Sequence, residues 1–170
     1  NRIEIFVRAW NSVDMKSIVK FIFAILLCET AGLIGSQFTR MSLAPWYSGL
    51  AKPFFTPPAW VFAPVWTLLY AIMGVAVFLI WNSGSYRPEV KRSLVLFVIH
   101  LCVNISWSAV FFGMRSPEGG VAVILLLWGM VLALTIMFMR ITRAAGWLMV
   151  PYLAWVTFAS ALNIGVAVMN

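Results

Sequence analysis

The chain has 170 residues, enough for one domain, and 63% of them are hydrophobic against 10% charged. A soluble domain of this size has too much surface for its volume to hide so much apolar area. A soluble fold is therefore excluded and a membrane-embedded one expected. The formal net charge of +7 comes from 12 basic and 5 acidic residues. The basic residues sit in short loops between apolar runs, where they set membrane orientation, so no nucleic-acid partner is expected.

Residues 1–14 (NRIEIFVRAWNSVD) precede Met15. We read them as an N-terminal extension, with Asn11 to Asp14 resembling a cloning linker, and expect native numbering to begin at Met15. The expected transmembrane domain then occupies 15–170. No cleavable signal peptide is expected, because the first apolar run is too long and no small-residue cleavage site follows it.

The first helix is predicted over about 17–38. Its small residues Ala24, Cys28, Gly32 and Ser36 recur every four positions, with Ala31 and Gly35 beside them. In a bilayer such a stripe marks a packing face, because helices associate there by close backbone approach. Glu29 is the one acid deep in any apolar run. It lies about 18 Å along the helix from Ser17, near midplane, where a carboxylate costs about 2.5 to 3.5 kcal/mol. It is expected to be neutralised or paired. His100, at similar depth on the third helix, is a candidate partner.

The loop over 39–57 holds Pro45, Pro53 and Pro57 among Trp46, Tyr47, Phe54 and Phe55. Proline fixes φ and removes a donor, so the loop is expected to be irregular but stiff, a lid over the helices. The second helix is predicted from Pro58 to Trp81, with a bend at Pro64. Phe62, Trp66 and Tyr70 share one of its faces. The third is predicted over about 93–112, with His100, Asn104, Trp107, Ser108 and Phe111 on a face turned into the bundle or a cavity. The fourth, about 120–139, is almost purely aliphatic apart from Trp128 and is expected to face lipid. The fifth runs over about 146–168. There Tyr152, Trp155, Ala159, Leu162 and Asn163 share one face, and Thr157, Ala161 and Gly165 form a second small-residue stripe.

Five spans put the two ends of the domain on opposite sides. Arg2, Arg8, Lys16, Lys20, Arg87, Lys91, Arg92, Arg140 and Arg143 lie on one side, against Arg40, Lys52 and Arg115 on the other. The positive-inside rule then places the N terminus inside, and the first loop and C terminus outside. Cys28 and Cys102 fall in different apolar runs with no CxxC or Cys/His cluster, so neither a disulfide nor a metal site is expected.

Three segments carry a family resemblance: WYSGLAKPFFTPPAWVFAPVWTLLYAIMG at 46–74, NISWSAVFFGMR at 104–115 and PYLAWVTFASALN at 151–163. With them the chain resembles the translocator protein, or tryptophan-rich sensory protein (TspO), family, from Gly32 to Asn163. The resemblance implies an all-α membrane protein, a five-transmembrane-helix bundle and often a homodimer. It implies binding of porphyrins such as protoporphyrin IX and haem, of cholesterol in animal members, and of benzodiazepine-type ligands, with no obligatory cofactor. Carried over, the ligand site would use Ser36, Phe38, Trp46, Leu50, Lys52, Phe62, Ala63, Val65, Trp66, Tyr70, Asn104, Trp107, Phe111, Trp155, Ala159, Leu162 and Asn163. The animal cholesterol pattern after the fifth-helix Leu-Asn is absent, since this chain reads LNIGVAVMN.

Three functions stay open at this stage: a porphyrin-binding receptor or sensor, a tetrapyrrole or lipid transporter, and a light- or oxygen-dependent porphyrin-degrading enzyme. In the third, Trp66 and Trp155 are the catalytic candidates. Asn104 and Asn163 are equally suited to holding a ligand and to joining helices. His100 as a haem-iron ligand is weighed against a hydrogen bond to a neighbour, which is the commoner use of a lone intramembrane histidine.

Overall fold

The structure is a computed structural model and describes residues 15–170; the extension 1–14 lies outside the described residues. It is all-helical. Among the described residues, five helices are long and apolar enough to cross a membrane: α1 (Met15–Ser42), α2 (Phe62–Asn82), α3 (Pro88–Ser108), α4 (Pro117–Ile141) and α5 (Arg143–Met169).

The first, fourth and fifth helices run further than the apolar runs suggested, the third starts and ends earlier and the second starts later, and local chemistry explains these ends. Helix α1 continues to Ser42, and within the π-type turn that follows at Leu43–Tyr47 Ala44 is extended (φ −129°, ψ 136°). Pro45 is the cause, because proline pushes the preceding residue out of the helical region. A 3₁₀ turn at Ala59–Val61 leads into α2. Pro64 falls in the first turn of α2, where a missing N–H is tolerated; it starts the helix, where a bend was expected. Helix α3 begins at Pro88, not near Ser93, with proline at its first turn and Glu89 beside the helix N-terminus. Helix α4 begins the same way: Ser116 Oγ accepts from Gly119 N at 3.1 Å, and Pro117 and Glu118 follow. Thr142 alone separates α4 from α5.

The core lies where α3, α4 and α5 meet α2. Phe97, Phe138, Tyr152, Met73, Ile80 and Met149 are fully buried there, and Phe97 stacks on Phe138 at 6.2 Å. Helix α4 is not simply lipid-facing. Ile124, Leu127, Val131, Leu134 and Phe138 are buried at helical spacing, while Leu125, Leu126 and Ile136 are exposed. An all-apolar helix does not show in its sequence which face packs.

Helices α1 and α2 touch closely away from the lid. A Cβ on Gly74 would lie 2.8 Å from the Ile25 Cα and 3.2 Å from the Ala24 carbonyl, so only glycine lets the backbones meet. On α1, Ala24, Cys28, Ala31 and Gly35 are buried. Gly32 and Ser36, the other half of the expected stripe, turn toward a cavity.

Candidate functional site

At the lid end the helices separate around a cavity of about 420 Å³. Helix α1 supplies Glu29, Gly32, Leu33, Gly35, Ser36, Thr39 and Arg40 to its wall, and Leu43 and Tyr47 follow from the π-type turn. From α2 and the turn before it come Ala59, Phe62, Ala63, Trp66, Thr67 and Tyr70. The third wall is Asn104, Trp107, Ser108, Phe111 and Phe112, and α5 closes the cavity with Ala159, Leu162, Asn163 and Val166.

The walls are built from interlocked rings. Trp66 stacks on Tyr70 at 5.6 Å, and Trp107 stacks on Phe111 at 5.5 Å. Such pairs add stabilisation beyond area burial and offer flat faces to a flat occupant. Tyr70 also closes the floor: a Cβ on Gly32 would fall 2.5 Å from its ring. Leu33, 63% exposed, together with exposed Ala63 and Thr67, marks an opening between α1 and α2 toward the side of the bundle.

The polar groups are mostly committed to the fold. Tyr70 Oη donates to Asn104 Oδ1 at 2.5 Å, and Asn104 Nδ2 donates to Tyr152 Oη at 2.8 Å. Tyr152 Oη in turn lies 2.8 Å from His100 Nε2. This chain of four side chains ties α2, α3 and α5 together. Asn163 acts similarly: its Oδ1 accepts from Trp107 Nε1 at 2.9 Å, and its Nδ2 donates to the Pro117 carbonyl at 2.9 Å. Both amides therefore join helices, although they also face the cavity. His100 is fully buried, is held by Tyr152 and does not line the cavity. No hydrogen bond or ion pair joins it to Glu29 among the described residues, so the expected pair does not form.

Of the residues assigned by resemblance, the structure gathers Ser36, Phe62, Ala63, Trp66, Tyr70, Asn104, Trp107, Phe111, Ala159, Leu162 and Asn163 around the cavity. The others lie behind its walls. Phe38 and the lid residues Trp46 and Leu50 pack with Phe111, Phe112 and Val166 as a plug at the lid end. Lys52 Nζ donates to the Ser48 and Leu50 carbonyls and sits 4.8 Å from the Tyr47 ring centroid, so its charge is held inside the lid. Val65 and Trp155 line a shallow outer groove with Pro57, Leu69, Pro151, Ala154 and Phe158. Trp155 packs behind Phe62 at 5.9 Å. Trp66 and Trp155 thus face different spaces.

The sequence reading placed Ser108 on the inward face of α3 but did not assign Gly32, Thr39, Arg40, Tyr47, Thr67 and Phe112 to the wall. For Arg40 the signal was present: Glu29, Ser36 and Arg40 recur at seven and four along α1, one helical face. The lid itself is fastened to α5. Ala51 N donates to Asn170 Oδ1 and Asn170 Nδ2 donates back to the Ala51 carbonyl, both at 3.0 Å. Pro53 is buried against Gly165, where a Cβ would lie 2.3 Å from the proline ring.

This arrangement of five spans, aromatic cavity and fastened lid has relatives. The sequence model of the TspO/MBR family matches residues 24–169. The chain belongs to the TspO/MBR family. It is 42% identical over 155 residues to the tryptophan-rich protein TspO of Chlorobaculum tepidum, covering 91% of this chain and 98% of that one. It is 39% identical to the protein of the same name from Archaeoglobus fulgidus, covering 91% and 99%. With the Bos taurus translocator protein it shares 37% over 139 residues, covering 81% and 82%. This TspO/MBR chain is accordingly a multi-pass integral membrane protein.

Proposed function

We propose that this chain is a membrane receptor or sensor that takes a porphyrin, protoporphyrin IX or haem, or a benzodiazepine-type ligand, into the cavity between its helices. One observation carries the reading: a space of about 420 Å³ is walled by two stacked ring pairs, Trp66–Tyr70 and Trp107–Phe111. Small-molecule sites commonly fall between about 300 and 1,000 Å³ and are largely apolar with a few placed polar groups. Family members named as translocator and as tryptophan-rich sensory protein are consistent with this use. No cofactor is required by the reading; the tetrapyrrole is the ligand.

Tryptophan fluorescence tests it. Protoporphyrin IX should quench the protein in bilayer nanodiscs at a saturable site. Trp66→Phe or Trp107→Phe should remove more of the quenched signal than Trp155→Phe, because Trp155 faces the outer groove. Absence of saturable quenching would refute the reading.

The side opening between α1 and α2 favours a second reading, exchange of the ligand with the bilayer as part of transport. Flux of porphyrin across liposomes with and without the protein separates carriage from reception. We also place the N terminus inside and the lid outside from the distribution of Lys and Arg, and assign the protein to homodimers. Impermeant labelling of a cysteine introduced at Ala51 and crosslinking in native membranes check these two assignments.

A further inference from the structure

Two charged side chains on the cavity wall are not used by the fold. Asn104 and Asn163 are spent on helix joints, Thr39, Thr67 and Ser36 donate to backbone carbonyls of their own helices, and Lys52 is held in the lid. Glu29 and Arg40 both line the cavity, yet neither makes a hydrogen bond or ion pair with any described residue. A free carboxylate well inside a span is costly, and an intramembrane ionisable group marks function by default.

The two sit on one face of one helix. Eleven residues separate them, close to three full turns, or about 16 Å along the axis. Glu29 lies one turn below Gly32, beside the Tyr70 floor; Arg40 lies in the last turn of α1, at the lid. Between these opposite charges stand the flat walls of Trp66 and Phe62.

We propose that Glu29 and Arg40 are the two ends of a specificity-determining pair, and that the preferred occupant is an amphoteric planar aromatic. Its carboxylate meets the Arg40 guanidinium at the lid end, and a cationic or N–H-donating nitrogen meets the Glu29 carboxylate at the floor. Guanidinium suits a carboxylate because its fork of donors matches two oxygens. Carboxylate oxygens only accept, so the floor selects a donor. This rests on the cavity being a ligand site as proposed above.

Three dyes on one three-ring frame test it: rhodamine 110, with both a carboxylate and a cationic ring system; rhodamine 123, its methyl ester, with the cation only; and fluorescein, with acidic groups only. Binding is read in nanodiscs by dye anisotropy, with protoporphyrin IX titrated separately. Rhodamine 110 should bind best. Glu29→Gln should weaken rhodamine 110 and rhodamine 123 by about 10-fold or more while sparing fluorescein, and Arg40→Gln should weaken rhodamine 110 and fluorescein while sparing rhodamine 123, as expected for loss of one charge-assisted hydrogen bond. Arg40→Lys should retain part of the fluorescein binding. Both sites are partly exposed and the Glu29 change is isosteric, so circular dichroism and thermal unfolding should match wild type.

Equal shifts for all three dyes, or none, would overturn the pair and leave Arg40 as an interfacial anchor. Porphyrin binding without any dye binding would also overturn it, while sparing the porphyrin reading. Charge-selective dye binding without porphyrin binding would support the pair and sink only the porphyrin ligand.

Discussion

Replacing Asn104 gives the sharpest test of the packing account. Its amide accepts from Tyr70 and donates to Tyr152, joining α2 to α5 through α3. Asn104→Leu keeps the branched skeleton and the number of heavy atoms and removes both bonds. Interhelical hydrogen bonds in membranes average about 0.6 kcal/mol, with a maximum of about 1.7. Two of them give an expected loss of about 1.2 kcal/mol and a ceiling of about 3.4. The Tyr70 hydroxyl borders the cavity, so water can satisfy it after the change. Tyr152 Oη keeps His100 Nε2 at 2.8 Å. Neither orphan therefore carries a full burial penalty, and the loss should fall nearer the lower figure. Reversible unfolding in mixed micelles with increasing dodecyl sulfate measures it. A double-mutant cycle with Tyr70→Phe isolates one bond, and its coupling should be about 0.6 kcal/mol. If Tyr70→Phe costs as much in the Asn104→Leu protein as in wild type, the bond contributes nothing and the reasoning fails.

Gly74→Leu should push α1 from α2, since even a Cβ lies 2.8 Å from the Ile25 Cα; we expect at least the 1–3 kcal/mol typical of overpacking, read in the same unfolding assay. The two thiols should differ: buried Cys28 should resist maleimide until unfolding, while exposed Cys102 should react in detergent with an apolar reagent. Similar rates would contradict their placement. Asn170→Ala removes both bonds to Ala51, so amide exchange at Ala51 should rise while α3 and α4 stay protected.

The five spans were legible because composition and length alone demand them, and the ring-bearing faces of α2 and α3 were legible because a helix repeats every three to four residues. Their ends were less so. The starts at Arg87-Pro88-Glu89 and Ser116-Pro117-Glu118 lie in polar stretches that read as loop, yet proline and an acid after a turn form a helix N-terminus. The groove-facing position of Trp155 was hidden for a different reason. It shares an arc with Ala159 and Leu162, but on a helix packed from two sides one arc can face two spaces. Phe62 takes the cavity side and Trp155 the groove. Lys52 was assigned to the pocket by likeness, whereas the carbonyls of its own loop capture it. Arg40, near the end of an apolar run, entered only the count of basic residues that sets orientation.

The paired hydrogen bonds between Asn170 and Ala51, with Pro53 seated on Gly165, fasten the lid to α5. The gap flanked by Leu33, Ala63 and Thr67 opens sideways. A molecule reaching Trp66 by that route leaves lipid, not water. Occupancy then follows the amount dissolved per volume of bilayer. Diluting the membrane at constant protein and ligand should empty the site, and two ligands with identical contacts should rank by how strongly each partitions into fat.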